Sequence, residues 1–310
     1  MTVSRIIADR FELVDRIGRG AMGEVWSAID RTTNREVALK LVQSWATGER
    51  ELVERFEREG RLLARVQSPF VCALVDTGRL EDGTPYLALE RLVGETLDEL
   101  LAREGYLALD EVASIADEIL QALVAAHAAG IVHRDLSPSN VFLHRETDGA
   151  QVTKVLDFGI AKSSEPATQV TANNTTMGSL PFVAPEQLGD SARAGPRADL
   201  YAVGAIVFRA LTGRLPYGDA RGIPLVALKR EHDPPTIDEA TGERWPAALV
   251  AFLTKAMART PADRYASAEA ALAALRAAVG GRGPSLEVPA RALDATTTMD
   301  GPPPGARRPR

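Results

Sequence analysis

Residues 133–140 read H-R-D-L-S-P-S-N, and they hold the chain's densest concentration of reactive groups. Asp135 and Asn140 stand five apart behind a His-Arg pair and beside Pro138, in a loop built to hold charge in place. Asp157, in L-D-F-G, follows the strand-like stretch KVL 22 residues further on. Together the three side chains supply oxygen ligands suited to a hard cation such as Mg²⁺, and an acceptor for the proton of a substrate hydroxyl. Taken singly, each is as well explained as a capping residue in a polar turn. Their weight comes from the order of a larger set.

Two further groups belong to that set. Lys40, in V-A-L-K, follows an apolar triplet and precedes Leu-Val, so its strand is expected to be covered on both faces. A buried Lys needs an anionic partner. Glu59, in FEREGRLLA, is the candidate and Glu57 the alternative, and only the register of their helix separates the two. Gly18, Gly20 and Gly23 form G-x-G-x-x-G in IGRGAMGEV. The dinucleotide fingerprint of that spelling requires a helix straight after the glycines. Here a strand hairpin follows, and glycines between two strands leave backbone N–H groups open to phosphate.

The elements that must position these groups change character along the chain. EVWSAID (24–30) and EVALKLV (36–42) flank the turn RTTNR as a hairpin, and residues 50–66 have helical apolar spacing. FVCALVDTGRL and PYLALERLV read as strands around the turn EDGT. From residue 94 the pattern becomes helical: DEVASIADEILQALVAAHAAG (110–130), then DLYAVGAIVFRALTG, PAALVAFLTKAMA and SAEAALAALRAAV. From Gly280 onward Gly and Pro crowd a stretch with no apolar period, the composition of a disordered tail.

Composition narrows the class. With 45% apolar and 25% charged residues the chain can bury a full core. A net charge of −6 gives no reason to expect a nucleic-acid partner. The one cysteine, Cys72, rules out an intramolecular disulfide framework and reads as a small core residue. The N-terminus is too broken by charge for a signal peptide, and the longest apolar run, LYAVGAIVF, is too short to span a bilayer, so a cytoplasmic location is expected.

In order, the glycine loop (18–25), VALK, a helix Glu, HRDLxxxN, DFG and the A-P-E of Ala184–Glu186 resemble the eukaryotic-type (Hanks-type) serine/threonine protein kinases of bacteria, over about residues 11–279. The resemblance implies an α+β, two-lobed fold, with a small antiparallel β-sheet N-lobe carrying one main helix (11–92) and a larger helical C-lobe (93–279). Residues 1–10 would be an N-terminal extension and 280–310 the tail. It implies ATP with Mg²⁺, or Mn²⁺ in its place, protein substrates, and homodimers for autophosphorylation in trans.

Roles follow by position. Ile17, Gly18, Arg19, Gly20 and Gly23 would cover the nucleotide, with Lys40 on its phosphates and Glu59 fixing Lys40. Asn140 and Asp157 would hold the metal, and Asp135 would accept the substrate proton. Val25, Ala38 and Phe142 would sandwich the adenine, the backbone of Glu90–Leu92 would meet its edge, and Leu89 would stand behind it as gatekeeper. Asp199 would tie down the catalytic loop, and Arg264 would pair with Glu186. Arg134, Arg55 and Lys162 would face one spot and repel unless a phosphate neutralised them, with Thr171, then Thr175 and Thr176, then Thr168 as its source.

One position departs from the pattern. Ser137 stands where these kinases usually carry a Lys that reaches the γ-phosphate, so a slow enzyme is expected, with the Ser137 hydroxyl on Asp135 or a bridging water. Ser179 keeps the serine/threonine pattern. The alternative is a catalytically weak or dead kinase-fold nucleotide-binding scaffold. A small-molecule kinase is argued against by the glycine loop, A-P-E and Arg264.

Overall fold

The computed structural model describes residues 5–19, 23–42, 50–158, 179–188 and 194–280, apart from the side chains of Arg19, Arg50, Glu51, Leu52, Arg55 and Glu59. Its first part is a six-stranded antiparallel sheet in the order β1-β2-β3-β4-β6-β5. The strands are β1 (Ile6–Ile7), β2 (Phe11–Arg19), β3 (Gly23–Asp30), β4 (Arg35–Val42), β5 (Leu74–Arg79) and β6 (Pro85–Glu90). Pairing thus starts before Phe11, and Arg10 bonds the buried Asp30 at 2.7 and 2.8 Å and also reaches Asp76. Phe11, Ala28, Val37, Leu39, Leu41, Tyr86 and Ala88 form one apolar layer of this sheet. Val42, Phe56 and Leu87 form a second cluster, under α1 (Arg50–Leu63).

At Gly23 the β3–β4 pairing brings the chains so close that a methyl group would overlap the Leu41 carbonyl oxygen. The sheet therefore demands this glycine, whatever phosphate also asks of it. α1 ends three residues earlier than its spacing suggests. The expected strand FVCALVDTGRL divides: β5 keeps Leu74–Arg79, while Val71 bridges Val155 in the other lobe.

A Thr96–Glu99 capping box, with each side chain bonding the other's backbone, starts α2 (Leu97–Glu104) after the short strand β7 (Gly94–Thr96). α3 (Leu109–Ala128) buries Val112, Ile115, Ala116, Ile119, Leu120 and Leu123 at helical spacing. β8 (Val141–Arg145) and β9 (Gln151–Val155) complete a three-stranded sheet with β7. α4 (Pro196–Thr212) is buried on nearly all sides, so it serves as the spine of this lobe. α5 (Gly222–Glu231), α6 (Ile237–Thr241), α7 (Ala247–Ala256) and α8 (Ala268–Gly280) follow it. No described helix is long and apolar enough to cross a membrane.

Candidate active site

The sheet lobe and the helical lobe enclose a cleft of about 550 Å³. Ile17, Gly18, Val25, Ala38, Lys40, Leu89, Glu90, Leu92, Phe142 and Asp157 all line it. Gly23 sits in β3 outside the lining, and Gly20 lies outside the described residues. Leu63, Cys72, Thr96 and Glu99 also face the cleft, although nothing in their local sequence marks them. Burial pushes the Cys72 thiol well up, which leaves it protonated and inert.

The end of β6 is organised for a flat polar edge. The Glu90 N–H is spent on the Ala73 carbonyl at 2.9 Å, which leaves the Glu90 carbonyl as the group of that residue that can meet the edge. The Leu92 N–H has no protein partner among the described residues, which makes it the open donor of the stretch. Glu90 is held in turn by Lys154 on β9, with Nζ donating to both carboxylate oxygens at 2.9 and 3.0 Å. This ion pair across the two lobes, 64 residues apart in sequence, carried no local signal.

On the facing side, Lys40 Nζ meets Asp157 Oδ1 at 2.8 Å, and the Lys40 charge, ahead of its hydrogen bond, holds this carboxyl below the usual carboxylate range. The Asp157 side chain is 54% exposed and that of Lys40 only 13%, so the carboxylate keeps a face toward the cleft. Glu57 is engaged elsewhere, with Arg79 at 2.6 Å, which turns it away from Lys40. The Glu59 side chain lies outside the description, as does that of Arg55.

His133 joins the two halves of the charged cluster. Its Nε2 donates to the Leu156 carbonyl at 2.9 Å, which leaves Nδ1 to accept the Asp135 N–H at 3.3 Å. The Leu156 N–H returns to the Asn140 carbonyl at 2.9 Å, and Asn140 Nδ2 donates to the Asp135 carbonyl at 2.8 Å. Asp135, Asn140 and Asp157 are therefore fixed relative to one another through bonds of the His133 ring, the Asn140 amide and the backbone between them. Asn140 spends its donor in doing so and keeps its amide oxygen for a cation. That donor set fits a hard divalent ion, and the Leu92 donor between apolar walls fits a purine edge.

The loop is held from below by Asp199, which is 1% exposed. It accepts from the N–H groups of His133 at 2.9 Å and Arg134 at 2.8 Å, and from His127 Nε2 at 2.8 Å. Arg134 has φ 65° and Asp157 φ 39°, both in the left-handed region that non-glycine residues rarely hold. His127 was not singled out from sequence, being one of several polar residues on α3. Arg264, fully buried, grips Glu186 with two bonds of 2.7 Å. Ser137 is 2% exposed, and its hydroxyl pairs with that of Ser139 at 2.9 Å rather than with Asp135. Lys162, Thr168, Thr171, Thr175 and Thr176 lie outside the described residues.

A sheet lobe with one main helix, a helical lobe, and a cleft carrying this lysine–aspartate pair define the two-lobed protein kinase fold. The description "Protein kinase domain" matches residues 11–274, and the chain belongs to that family. It is 35% identical over 280 residues to the serine/threonine-protein kinase pkn3 of Myxococcus xanthus, across 89% of this chain and 51% of pkn3. The crystal structure of the Mycobacterium tuberculosis PknI kinase domain matches at TM-score 0.68 and 26% identity, covering 90% of this chain and 99% of that one. Rad53 residues 1–466 in complex with AMP-PNP match at TM-score 0.67 and 25% identity, covering 85% of this chain and 64% of that one. The chain spans about half the length, or less, of several relatives it matches.

Proposed function

We propose that this chain is an active kinase that moves the ATP γ-phosphoryl group to serine or threonine hydroxyls of proteins, its own activation loop included. The Lys40–Asp157 pair carries the reading, because it sets a phosphate-binding cation beside a metal-binding carboxylate. In this reading Val25, Ala38 and Phe142 hold the adenine, and the Glu90 carbonyl and Leu92 N–H read its edge. Lys40 holds the α/β-phosphates, and Asn140 and Asp157 hold Mg²⁺. When bound, Mg²⁺ neutralises charge on the phosphate oxygens. Asp135 accepts the hydroxyl proton as the acceptor oxygen attacks in line. Positioning and charge supply most of the rate, since phosphoryl transfer asks little covalent chemistry of the protein.

Residues 179–186 are the surface on which the protein acceptor docks, held by the Arg264–Glu186 bond pair. Arg134, with Arg55 and Lys162, receives a phosphate from Thr171, Thr175, Thr176 or Thr168, delivered by a second copy of the chain. The setting is the cytoplasm, where ATP is available. Nothing favours a dead scaffold, since Lys40, Asp135, Asn140 and Asp157 are all present. Incubation with labelled ATP and Mg²⁺, followed by mapping of the modified residues by mass spectrometry, tests the reading. Phosphate should appear on Ser and Thr; a folded, nucleotide-bound chain that transfers none would sink it.

A further inference from the structure

Away from the cleft, Lys229 on α5 is a fully buried cation, 0% exposed, that pairs with no carboxylate among the described residues. Its Nζ donates to the carbonyls of Pro181 at 2.8 Å and Val183 at 2.7 Å, and to the Tyr201 hydroxyl at 3.2 Å. Burying an ammonium is costly unless every donor is met, and here three donors meet three acceptors. Tyr217 donates its hydroxyl proton to the His232 carbonyl at 3.0 Å. A neutral amine has two N–H groups and a lone pair, so it can keep both carbonyls and take the Tyr201 hydroxyl proton on its lone pair, but without the charge that strengthens the ammonium's bonds.

The two carbonyls lie between Ser179 and Glu186. α5 grips the same segment at its far end, where Arg230 donates to the Leu188 carbonyl at 2.7 Å. Leu225 of α5 packs on Leu180 and Leu188 between these anchors. We propose that Lys229 is a positioning residue for the protein substrate: its ammonium pins the Pro181–Val183 backbone to α4 and α5 and so shapes the docking surface. The proposal rests on the reading of residues 179–186 given above.

The same cage makes docking sensitive to pH. Burial, ahead of repulsion from Arg264, pushes the Lys229 pKa down to about 7, and Glu186 opposes the shift. The other groups facing it are the rings of Tyr201 and Tyr217, with centroids 4.7 and 5.7 Å from Nζ. Arg264 and Glu186 bond each other, so among the described residues no unpaired carboxylate stands by to hold the proton. As pH rises through neutrality the ammonium gives way to the amine, and the bonds to Pro181 and Val183 lose their charge assistance, which weakens the anchor of the docking surface.

Steady-state kinetics with a serine/threonine peptide and with ATP test this on wild type and Lys229→Met, each checked by thermal melting. The substitution should raise the peptide KM about fivefold, the worth of one such hydrogen bond, and leave the ATP KM unchanged. In wild type the peptide KM should rise by a similar factor from about pH 6 to 8.5, and in Lys229→Met it should stay flat. If Lys229→Met does not fold, the wild-type profile decides: a rising peptide KM with a flat ATP KM supports the role. A peptide KM independent of pH, or one that moves together with the ATP KM, overturns it. No transfer by wild type at any pH would instead overturn the kinase reading, and this inference with it.

Discussion

Replacing Asp199 with Ala removes the carboxylate that holds the catalytic loop from beneath. Two backbone N–H groups, those of His133 and Arg134, lose their acceptor, and so does His127. The site is 1% exposed, so water does not readily step in. A buried donor left unpaired costs about 1–3 kcal/mol, and the two backbone donors together make about 3–5 kcal/mol of lost stability. For a domain of this size that is a fall in melting temperature of about 10 °C. Asp199→Asn is the finer probe. Its amide oxygen can serve one backbone N–H, while its NH₂ group faces another donor, so a loss of about 2 kcal/mol is expected. Arg134 at φ 65° depends on this anchor, and relaxation there carries Asp135 with it. The kcat should therefore fall by a factor of ten or more with a smaller change in the ATP KM, at a temperature where both variants are folded. Urea unfolding and steady-state kinetics read the two effects. Wild-type melting and wild-type turnover in both variants would refute the reasoning.

Three other outcomes follow from single contacts. Ser137→Lys should raise kcat by up to roughly a hundredfold with little change in the ATP KM, because a cation there acts mainly on the transferring phosphoryl group; a lower kcat, with Ser137→Ala unchanged, would mean that another cation already serves. The Arg10 guanidinium, through its hydrogen bonds, holds the Asp30 carboxyl well below the usual range, so the pair's stability is present above about pH 4 and lost as the pH falls further. Unfolding of Arg10→Ala should accordingly lie well below wild type near neutrality and approach it in acid; a gap independent of pH would contradict this. Gly23→Ala should lower the melting temperature even without nucleotide, since the clash is with the Leu41 carbonyl; a loss confined to ATP binding would show that the glycine serves phosphate alone.

Short-range chemistry was legible in the sequence, and long-range partnership mostly was not. Asp135 and Asn140 stand out by type and spacing within one loop, Asp157 by its place in the ordered set of motifs, and α3 by its period. Lys40 needed an anion on physical grounds, but its contact with Asp157 spans 117 residues and follows from how the lobes close. Lys154 and Glu90, or Lys229 and Pro181, are ordinary residues until the fold brings them together. α2 is eight residues with a capping box, too short for its apolar spacing to be noticed. Gly23 was read for phosphate, and the close approach of the Leu41 carbonyl adds a demand of the sheet that the sequence did not show. Ser137 was left its hydroxyl to spend on Asp135, whereas the loop folds it back on Ser139.

The central claim is that Asp135 takes the proton from a serine or threonine hydroxyl while Lys40, Asn140 and Asp157 hold the nucleotide and its metal. Phosphate transfer and nucleotide affinity, measured side by side on wild type and Asp135→Asn, test it most directly. The account predicts that Asp135→Asn binds Mg-ATP as tightly as wild type and transfers no measurable phosphate to protein. Equal transfer by the two proteins would contradict it.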